Sequence, residues 1–143
     1  MTRSVDGEIW RYQTIHGGSA VGRPNGTIGF GHYVFRHELH DFVREASLEL
    51  KRVQMSVELT RYPGQDLIRY SMLPWFDFTS ISHARDLSEK DSVPRITFGK
   101  VTDAGGRCTM PISIHVHHGL VDGEHVARFV EFLEQRLATP KSG

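Results

Sequence analysis

The residues with the greatest capacity for chemistry in this sequence are its histidines. The chain has nine, and five of them lie between His83 and His125. Two are adjacent, in the segment His117-His118-Gly119-Leu120-Val121-Asp122-Gly123. The imidazole of histidine has an ordinary pKa close to neutral pH, so this side chain is well suited to accept and return a proton. A general acid–base site is therefore sought first in this segment.

The pattern of residues before this pair separates the two histidines. A strand is expected over residues 107–118, and successive side chains of a strand point to opposite faces. His118 then shares a face with an apolar row, whereas His117 shares the other face with Ser113 and His115. The row consists of Met110, Ile112, Ile114 and Val116. An imidazole at the end of a buried row is partly desolvated, which favours the neutral form that a general base needs. The sequence therefore favours His118 over His117 as the base.

Other roles for the same residues stay open at this point. His118 could be a core histidine that is satisfied by the backbone, and Asp122 precedes an expected helix, where its carboxylate would cap the first-turn amides. A metal site is a third interpretation. His115 and His117 share a face, as two ligands would, but zinc requires three or four ligands and His118 faces the other way. We therefore expect no metal site.

Hydrophobic patterns predict the elements that would position these residues. Alternation predicts strands, and recurrence every three or four residues predicts two helices. The expected strands cover residues 7–15, 27–34, 67–72, 95–101 and 107–118, and the expected helices cover residues 35–54 and 124–137. Gly17-Gly18 is expected to end the first strand. This order predicts an α+β fold, with a mixed, mostly antiparallel sheet and helices on one face.

Length and composition limit the class of protein. A chain of 143 residues is expected to form a single domain, residues 1–143. Lysine plus arginine number 17, as do aspartate plus glutamate, and this balance disfavours a nucleic-acid-binding protein. The single cysteine, Cys108, excludes an intramolecular disulfide and fits a reducing compartment. Neither a signal peptide nor an apolar run of about 20 residues is evident, so we expect a soluble, cytoplasmic domain without a membrane partner.

Four segments resemble the chloramphenicol acetyltransferases of the CoA-dependent acyltransferase superfamily. Residues 117–123 are similar to the His-His-x-x-x-Asp-Gly signature of that superfamily. Residues 71–80 resemble the Ser-x-x-Pro-Trp-x-x-Phe-Thr-Ser stretch of the chloramphenicol acetyltransferases, and residues 94–100 resemble their Pro-x-x-Thr-x-Gly-Lys strand. Residues 110–118 resemble the strand before their catalytic histidine. The segments occur in one order at matching spacing, so the chain is identified as a member of this family.

The resemblance implies direct transfer of an acetyl group from acetyl-CoA to a hydroxyl of a small molecule, chloramphenicol or another alcohol. It makes His118 the general base and Ser71 the donor of a hydrogen bond to the oxyanion of the tetrahedral intermediate. It assigns Lys100 and Thr97 to the acetyl-CoA site, Lys100 reaching a phosphate of CoA and Thr97 acting through a water. Asp122 is implied to fix the loop that carries the histidine. The family also implies a cytoplasmic trimer, with each active site at a subunit boundary, and antibiotic resistance as the biological role.

Three features depart from the family pattern. Roughly the N-terminal third of a chloramphenicol acetyltransferase has no counterpart, so we expect the C-terminal two-thirds of the fold, without the arginine that pairs with the aspartate matching Asp122. Positions that are apolar in the family carry His83, Arg85 and Arg95, which favours a polar or anionic alcohol. A sheet with fewer covering helices exposes apolar surface, which predicts a homo-oligomer. The alternative function is a non-catalytic homologue that keeps the fold and binds CoA or a partner subunit.

Overall fold

The computed structural model describes residues 1–81 and 92–138, which form nine strands and two helices. In chain order the elements are β1 (Thr2–Val5), β2 (Glu8–Arg11), β3 (His16–Gly22), β4 (Ile28–Tyr33), α1 (Leu39–Met55), β5 (Leu67–Met72), β6 (Arg95–Phe98), β7 (Thr102–Ala104), β8 (Arg107–Thr109), β9 (Ile112–His115) and α2 (Gly123–Ala138). Each strand and helix predicted from the sequence pattern is represented, with differences in its bounds.

Five strands form the central sheet, in the order β4-β3-β5-β6-β9. β3 and β4 pair antiparallel, as do β6 and β9, whereas β5 pairs parallel with both β3 and β6. The pairs β1 with β2 and β7 with β8 are antiparallel hairpins. A mixed sheet, mostly antiparallel pairing across the described chain and two helices confirm the predicted α+β class. Both parallel pairings involve β5, the middle strand of the sheet.

Helix α1 packs beside the edge strand β4. Its exposed side carries ion pairs such as that of Arg44 with Asp41, whose atoms are 2.9 Å apart. Val53 is the buried residue of the helix, and it lies against Gly29 of β4. A Cβ atom on Gly29 would come within 2.5 Å of the Val53 side chain. A glycine at this position therefore allows the helix to approach the strand closely.

The expectation that Gly17 and Gly18 end a strand is wrong. Both lie inside β3, which is paired on both of its sides, with β4 and with β5. The ring of Tyr70 on the neighbouring strand β5 occupies the space beside Gly17, where a Cβ atom would lie 3.2 Å from that ring. Pairing on two sides therefore overrides the weak strand propensity of glycine.

The strand expected over residues 107–118 is divided in the structure. β8 ends at Thr109 and pairs with β7, whereas β9 begins at Ile112 and pairs with β6. Pro111 lies between them, and proline has no N–H to donate to a ladder. The residues before the histidine segment therefore belong to a hairpin and to the sheet, and they do not form one continuous strand.

The second part of this strand also ends earlier than expected. Its last residue is His115, whose register partner on β6 is Arg95. The same register would place Val116 opposite Pro94, which again has no N–H to continue the pairing. His117 therefore lies beyond the sheet, in the segment that leads to α2.

The buried core is small, and α2 contributes no residue to it. Within the described residues, the buried apolar side chains of the core are those of Val21, Val53, Leu67, Val93 and Ile96. No residue of α2 is buried, and its apolar residues Phe132 and Leu137 are 63% and 64% exposed. The apolar side of α2 is therefore open within the described chain. Among the helices that the structure describes, none combines the length and hydrophobicity that crossing a bilayer requires.

Candidate active site

Ser71 and Thr97 lie side by side on two neighbouring parallel strands. Ser71 of β5 and Thr97 of β6 are register partners, so their side chains point to the same face of the sheet. Thr97 is only 1% exposed, whereas Ser71 is half-buried. Both line a cavity of about 300 Å³. The structure thus brings together two of the predicted site residues.

The walls of this cavity come from two further strands and from the segment between α1 and β5. β3 contributes Gly18 and Ala20, and β4 contributes Phe30. Arg61 and Tyr62 line it from the segment that precedes β5. The small side chains of β3 leave open space above the sheet, and the aromatic rings enclose it.

Arginine side chains form a second row in the cavity, beside Ser71 and Thr97. Arg69 and Arg95 are register partners, two residues before Ser71 and Thr97 on the same strands. Arg95 was selected from the sequence, whereas Arg69 was not. The alternation of β5 was the signal that could have found Arg69, because it places this side chain on the same face as Ser71.

Two other positions predicted to line the acceptor pocket are not placed by the structure. His83 and Arg85 lie outside the described residues, so the prediction for them stays a prediction.

Lys100 follows β6, at a tight junction with the turn after β5. Its backbone N–H donates to the carbonyl oxygen of Phe76 at 2.8 Å, and the N–H of Gly99 donates to the carbonyl oxygen of Pro111 at 2.9 Å. A Cβ atom on Gly99 would lie 2.6 Å from Pro111 and 2.8 Å from the Phe76 oxygen. The side chain of Lys100 is exposed. The junction therefore holds Lys100 at the end of the strand that carries Thr97.

His118 is exposed, in the turn between β9 and α2. The N–H groups of Leu120 and Val121 close this turn by donating to the carbonyl oxygen of His117, at 2.9 and 3.1 Å. The expectation that His118 is partly desolvated at the end of a strand is therefore wrong for a single chain. The physical reason is that β9 ends at His115, before the apolar row reaches His118.

The register also carries the chain away from Ser71 and Thr97 before it reaches His118. Ser113 of β9 is the register partner of Thr97. From Ser113, β9 continues to His115, the partner of Arg95, and so leads away from Ser71 and Thr97. His118 comes five residues after Ser113. It does not belong to the described residues that line the cavity. Within one chain, the predicted base and the predicted oxyanion donor therefore lie apart.

Asp122 caps the N-terminus of α2. Its Oδ1 accepts a hydrogen bond from the backbone N–H of His125 at 3.0 Å and lies 2.7 Å from Nδ1 of the same residue. The backbone hydrogen bond, and then the one from the ring, lower the pKa of the Asp122 carboxyl below its ordinary value. The helix-cap interpretation of this residue is therefore the one that the geometry supports.

The two histidines considered as metal ligands are placed differently from the expectation. His115 is half-buried on β9, with Nε2 3.1 Å from Oγ of Ser113, whereas His117 is exposed in the following turn. Within residues 1–81 and 92–138, no three histidine, cysteine, aspartate or glutamate side chains lie close enough together to hold a metal ion. His115 and His117 therefore do not face one another as a ligand pair on one strand.

A group of polar side chains that the sequence did not reveal lies beside β4. The ring of His32 stacks on the ring of Tyr62, with 3.8 Å between their centroids. The ring of His16 lies edge-on to the ring of His32, with 5.3 Å between their centroids. Asp66 accepts a hydrogen bond from the hydroxyl of Tyr62 at 2.9 Å and lies 3.6 Å from Nε2 of His16. Burial, followed by the charge on His16, lowers the pKa of His32. The four residues are scattered along the chain, so no motif could have indicated them.

Comparison with protein families identifies proteins that this chain resembles. The family model described as chloramphenicol acetyltransferase matches residues 26–134. A chloramphenicol acetyltransferase from Bacillus pumilus is 36% identical over 101 residues, which make up 69% of this chain and 46% of that protein. The chain spans less than half the length of these curated relatives, since similar matches to two further chloramphenicol acetyltransferases, from Campylobacter coli and Escherichia coli, cover 41% and 32% of those proteins.

Solved structures agree with this match. A chloramphenicol acetyltransferase structure superposes with a TM-score of 0.79 at 26% identity, covering 94% of this chain and 67% of that one. The dihydrolipoamide acetyltransferase of Azotobacter vinelandii superposes with a TM-score of 0.67 at 19% identity, covering 96% of this chain and 60% of that one. The second likeness concerns the fold alone.

Proposed function

The chain belongs to the chloramphenicol acetyltransferase family, and from this premise we propose that it transfers an acetyl group from acetyl-CoA to a hydroxyl of a small molecule. The observation that carries the proposal is the pairing of Ser71 with Thr97 at the wall of one cavity. These are the residues that the family resemblance selects, and they lie on strands that are 22 residues apart in the chain, from Met72 to Arg95. Their meeting on one face supports a common role.

In the proposed reaction, Nε2 of His118 takes the proton from the acceptor hydroxyl as that oxygen attacks the carbonyl carbon of the thioester. The carbonyl oxygen becomes an oxyanion, and the hydroxyl of Ser71 donates a hydrogen bond to it. When the tetrahedral intermediate collapses, the carbon–sulfur bond breaks and the sulfur of CoA takes the proton from His118. The products are an acetyl ester and CoA, and the histidine returns to its neutral form.

Three further residues have supporting roles in the proposal. Thr97, which is buried beside Ser71, acts in the same pocket through a water. Lys100 reaches a phosphate of CoA from its exposed position after β6. Asp122 holds the first turn of α2 and, through it, the segment that carries His118. The proposed chemistry uses no metal ion.

We place the complete site between two copies of the chain. His118 does not line the cavity of its own chain as described, whereas a neighbouring copy could present its His118 to that cavity. A cyclic trimer repeats this contact at each of its boundaries. The open apolar side of α2 offers surface that such an assembly would cover.

The acceptor is proposed to be a small alcohol, since the cavity measures about 300 Å³. Chloramphenicol is the acceptor named for the relatives, and antibiotic resistance would be the role if this chain shares it. Because acetyl-CoA is the co-substrate, the proposed location is the cytoplasm.

A non-catalytic homologue that binds CoA or a partner subunit is the second candidate. One observation favours it: His118 is exposed and does not line the cavity that contains Ser71. This candidate predicts binding of CoA, or of a longer subunit, without turnover that depends on His118.

Replacement of each of the two adjacent histidines separates these candidates. His118→Ala is expected to lower the rate by about 10²- to 10⁴-fold, because a general base contributes that much. His117→Ala is the matched control, since His117 is also exposed, and it should keep most of the activity. The measurement is release of free CoA from acetyl-CoA, by transfer or by slow hydrolysis. Equal losses in both variants, or full activity of His118→Ala, would contradict the proposal.

A further inference from the structure

Asp122 and His125 form a closed pair at the start of α2. Oδ1 of Asp122 accepts a hydrogen bond from the backbone N–H of His125 at 3.0 Å, and it lies 2.7 Å from Nδ1 of the same residue. Any residue except proline would supply the first contact, since it comes from the backbone. The second contact is specific to the side chain of His125, and a helix cap alone does not require it.

The direction of the ring contact follows from the chemistry of its two partners. The pKa of the Asp122 carboxyl is lowered, first by the backbone hydrogen bond and then by the ring, so this group is ionised near neutral pH. An ionised carboxylate only accepts hydrogen bonds. Nδ1 of His125 therefore carries the hydrogen and donates it to Asp122. The contact fixes the orientation of the ring and the rotamer of the carboxylate together.

The same contact gives Asp122 a basic partner. The family resemblance pairs the aspartate that matches Asp122 with an arginine. Within residues 1–81 and 92–138, the one basic side chain that pairs with the Asp122 carboxylate is that of His125. The structure therefore offers His125 for the role that the resemblance gives to an arginine.

The turn that carries His118 is tied at both of its ends. At one end, the N–H groups of Leu120 and Val121 donate to the carbonyl oxygen of His117, at 2.9 and 3.1 Å. At the other end, the pair at the start of α2 joins the turn to the helix. The His118 side chain is exposed, so packing within the chain does not fix its direction. That direction therefore depends on the backbone of the turn.

We propose that His125 is a positioning residue, whose ring holds the Asp122 carboxylate and thereby the turn that presents His118. This inference rests on the acetyl transfer proposed above. His125 takes no part in the proton transfer itself, since it acts through Asp122. The side chains of the pair are 66% and 60% exposed, and such a pair contributes little to global stability. Its loss should therefore affect the turn more than the fold.

Two substitutions of His125 separate loss of the donor from loss of the ring. His125→Leu removes the donor, and kcat for the release of CoA is expected to fall about tenfold, because a misplaced base is less effective. KM for acetyl-CoA should stay unchanged, since His125 is not proposed to bind CoA. His125→Asn keeps an N–H donor close to the position of Nδ1 and should restore most of kcat. Helix propensity alone would favour leucine over asparagine, which is the opposite order.

Asp122→Ala shows whether the effect passes through the carboxylate. In that background, His125→Leu should cause no further loss of kcat, because the contact is already absent. His40→Leu is the matched control, because His40 is 87% exposed and lies in the first turn of the other helix, α1, and it should keep the wild-type kcat. Three results would overturn the inference: wild-type kcat in His125→Leu, no recovery in His125→Asn, or a further loss in the Asp122→Ala background.

Hydrogen exchange keeps this test separate from the proposed function. If the wild-type protein releases no CoA, the acetyl-transfer proposal fails. The exchange rates of the Leu120 and Val121 amides, measured by NMR, then decide whether His125 holds the turn. Rates that rise in His125→Leu and return toward the wild-type values in His125→Asn support the inference. Equal rates in the three proteins contradict it.

Discussion

His32 has an enclosed imidazole that the proposed chemistry does not use. Its ring is stacked on Tyr62, and its Nε2 is buried without a hydrogen-bond partner in the described chain. Burial lowers its pKa below the ordinary 6.5, to which it returns when the chain unfolds. The unfolded state therefore binds a proton more readily than the folded state. The contribution of His32 to the free energy of unfolding is therefore fully present above about pH 6.5, and it is lost as the pH falls toward the lowered pKa.

His32→Phe is expected to weaken this dependence on pH. Phenylalanine keeps an aromatic ring against Tyr62 and has no titrating group. The free energy of unfolding, measured by urea denaturation at about pH 7 and about pH 5.5, should therefore fall less in the variant than in the wild-type protein. His40→Gln is the control, because His40 is 87% exposed and should leave the difference unchanged. An identical loss in His32→Phe and wild type would remove His32 as the responsible group.

At the residue scale, the alternation expected of a strand favours His118 over His117 as the base, and this choice stays a prediction. The local pattern does not reveal that the pairing of β9 ends at His115, because this depends on the partner strand β6. Arg69 was missed because its position matters only through its partner on β6. Such partners come from distant parts of the chain and leave no local pattern.

At the scale of the elements, Gly99 allows the end of β6 to lie close to the turn after β5. Gly99→Ala is expected to lower the free energy of unfolding by about 1–3 kcal/mol, because its methyl group would overlap with Pro111 and with the Phe76 carbonyl oxygen. Gly22→Ala is the matched control, since Gly22 lies at the end of β3 and a Cβ atom there meets no neighbour within 4 Å. Urea denaturation gives both values. Equal stability of the two variants would show that the junction is not tight.

Elements with a regular pattern were predicted closely, whereas their pairing was not. The sequence predicts the bounds of β5 as the structure has them, and the periodicity of α1 and α2 is evident from their apolar residues. Gly17 and Gly18 were misjudged because the strands on both sides of β3 stabilise it. The register that places Ser71 beside Thr97 joins strands separated by the chain from 73 to 94, and no local signal fixes it.

At the scale of the whole molecule, the proposed active site needs more than one copy of the chain. The core is small, and the apolar side of α2 is open in the part of the chain described here. Burial of such surface favours association, and the resemblance to the chloramphenicol acetyltransferases implies a trimer, which we predict for this chain. Size-exclusion chromatography with light scattering should give about three times the chain mass of 16.2 kDa. A stable species at the mass of one chain would contradict this prediction.

The central claim is that His118 of one copy serves the cavity of another copy that contains Ser71. Ser71→Ala alone should lower the rate by about 10²- to 10³-fold, as loss of an oxyanion donor does. His118→Ala alone should also lose its activity. When the two variants are produced together in equal amounts, about one quarter of the boundaries join an intact His118 to an intact Ser71.

Release of CoA by this mixture is the most direct measurement. The unseparated mixture is compared, at equal total protein, with each variant alone and with the wild-type protein. The account predicts that the equal mixture recovers about one quarter of the wild-type rate, far above either variant. A mixture no more active than the two variants measured separately would contradict a site shared between copies.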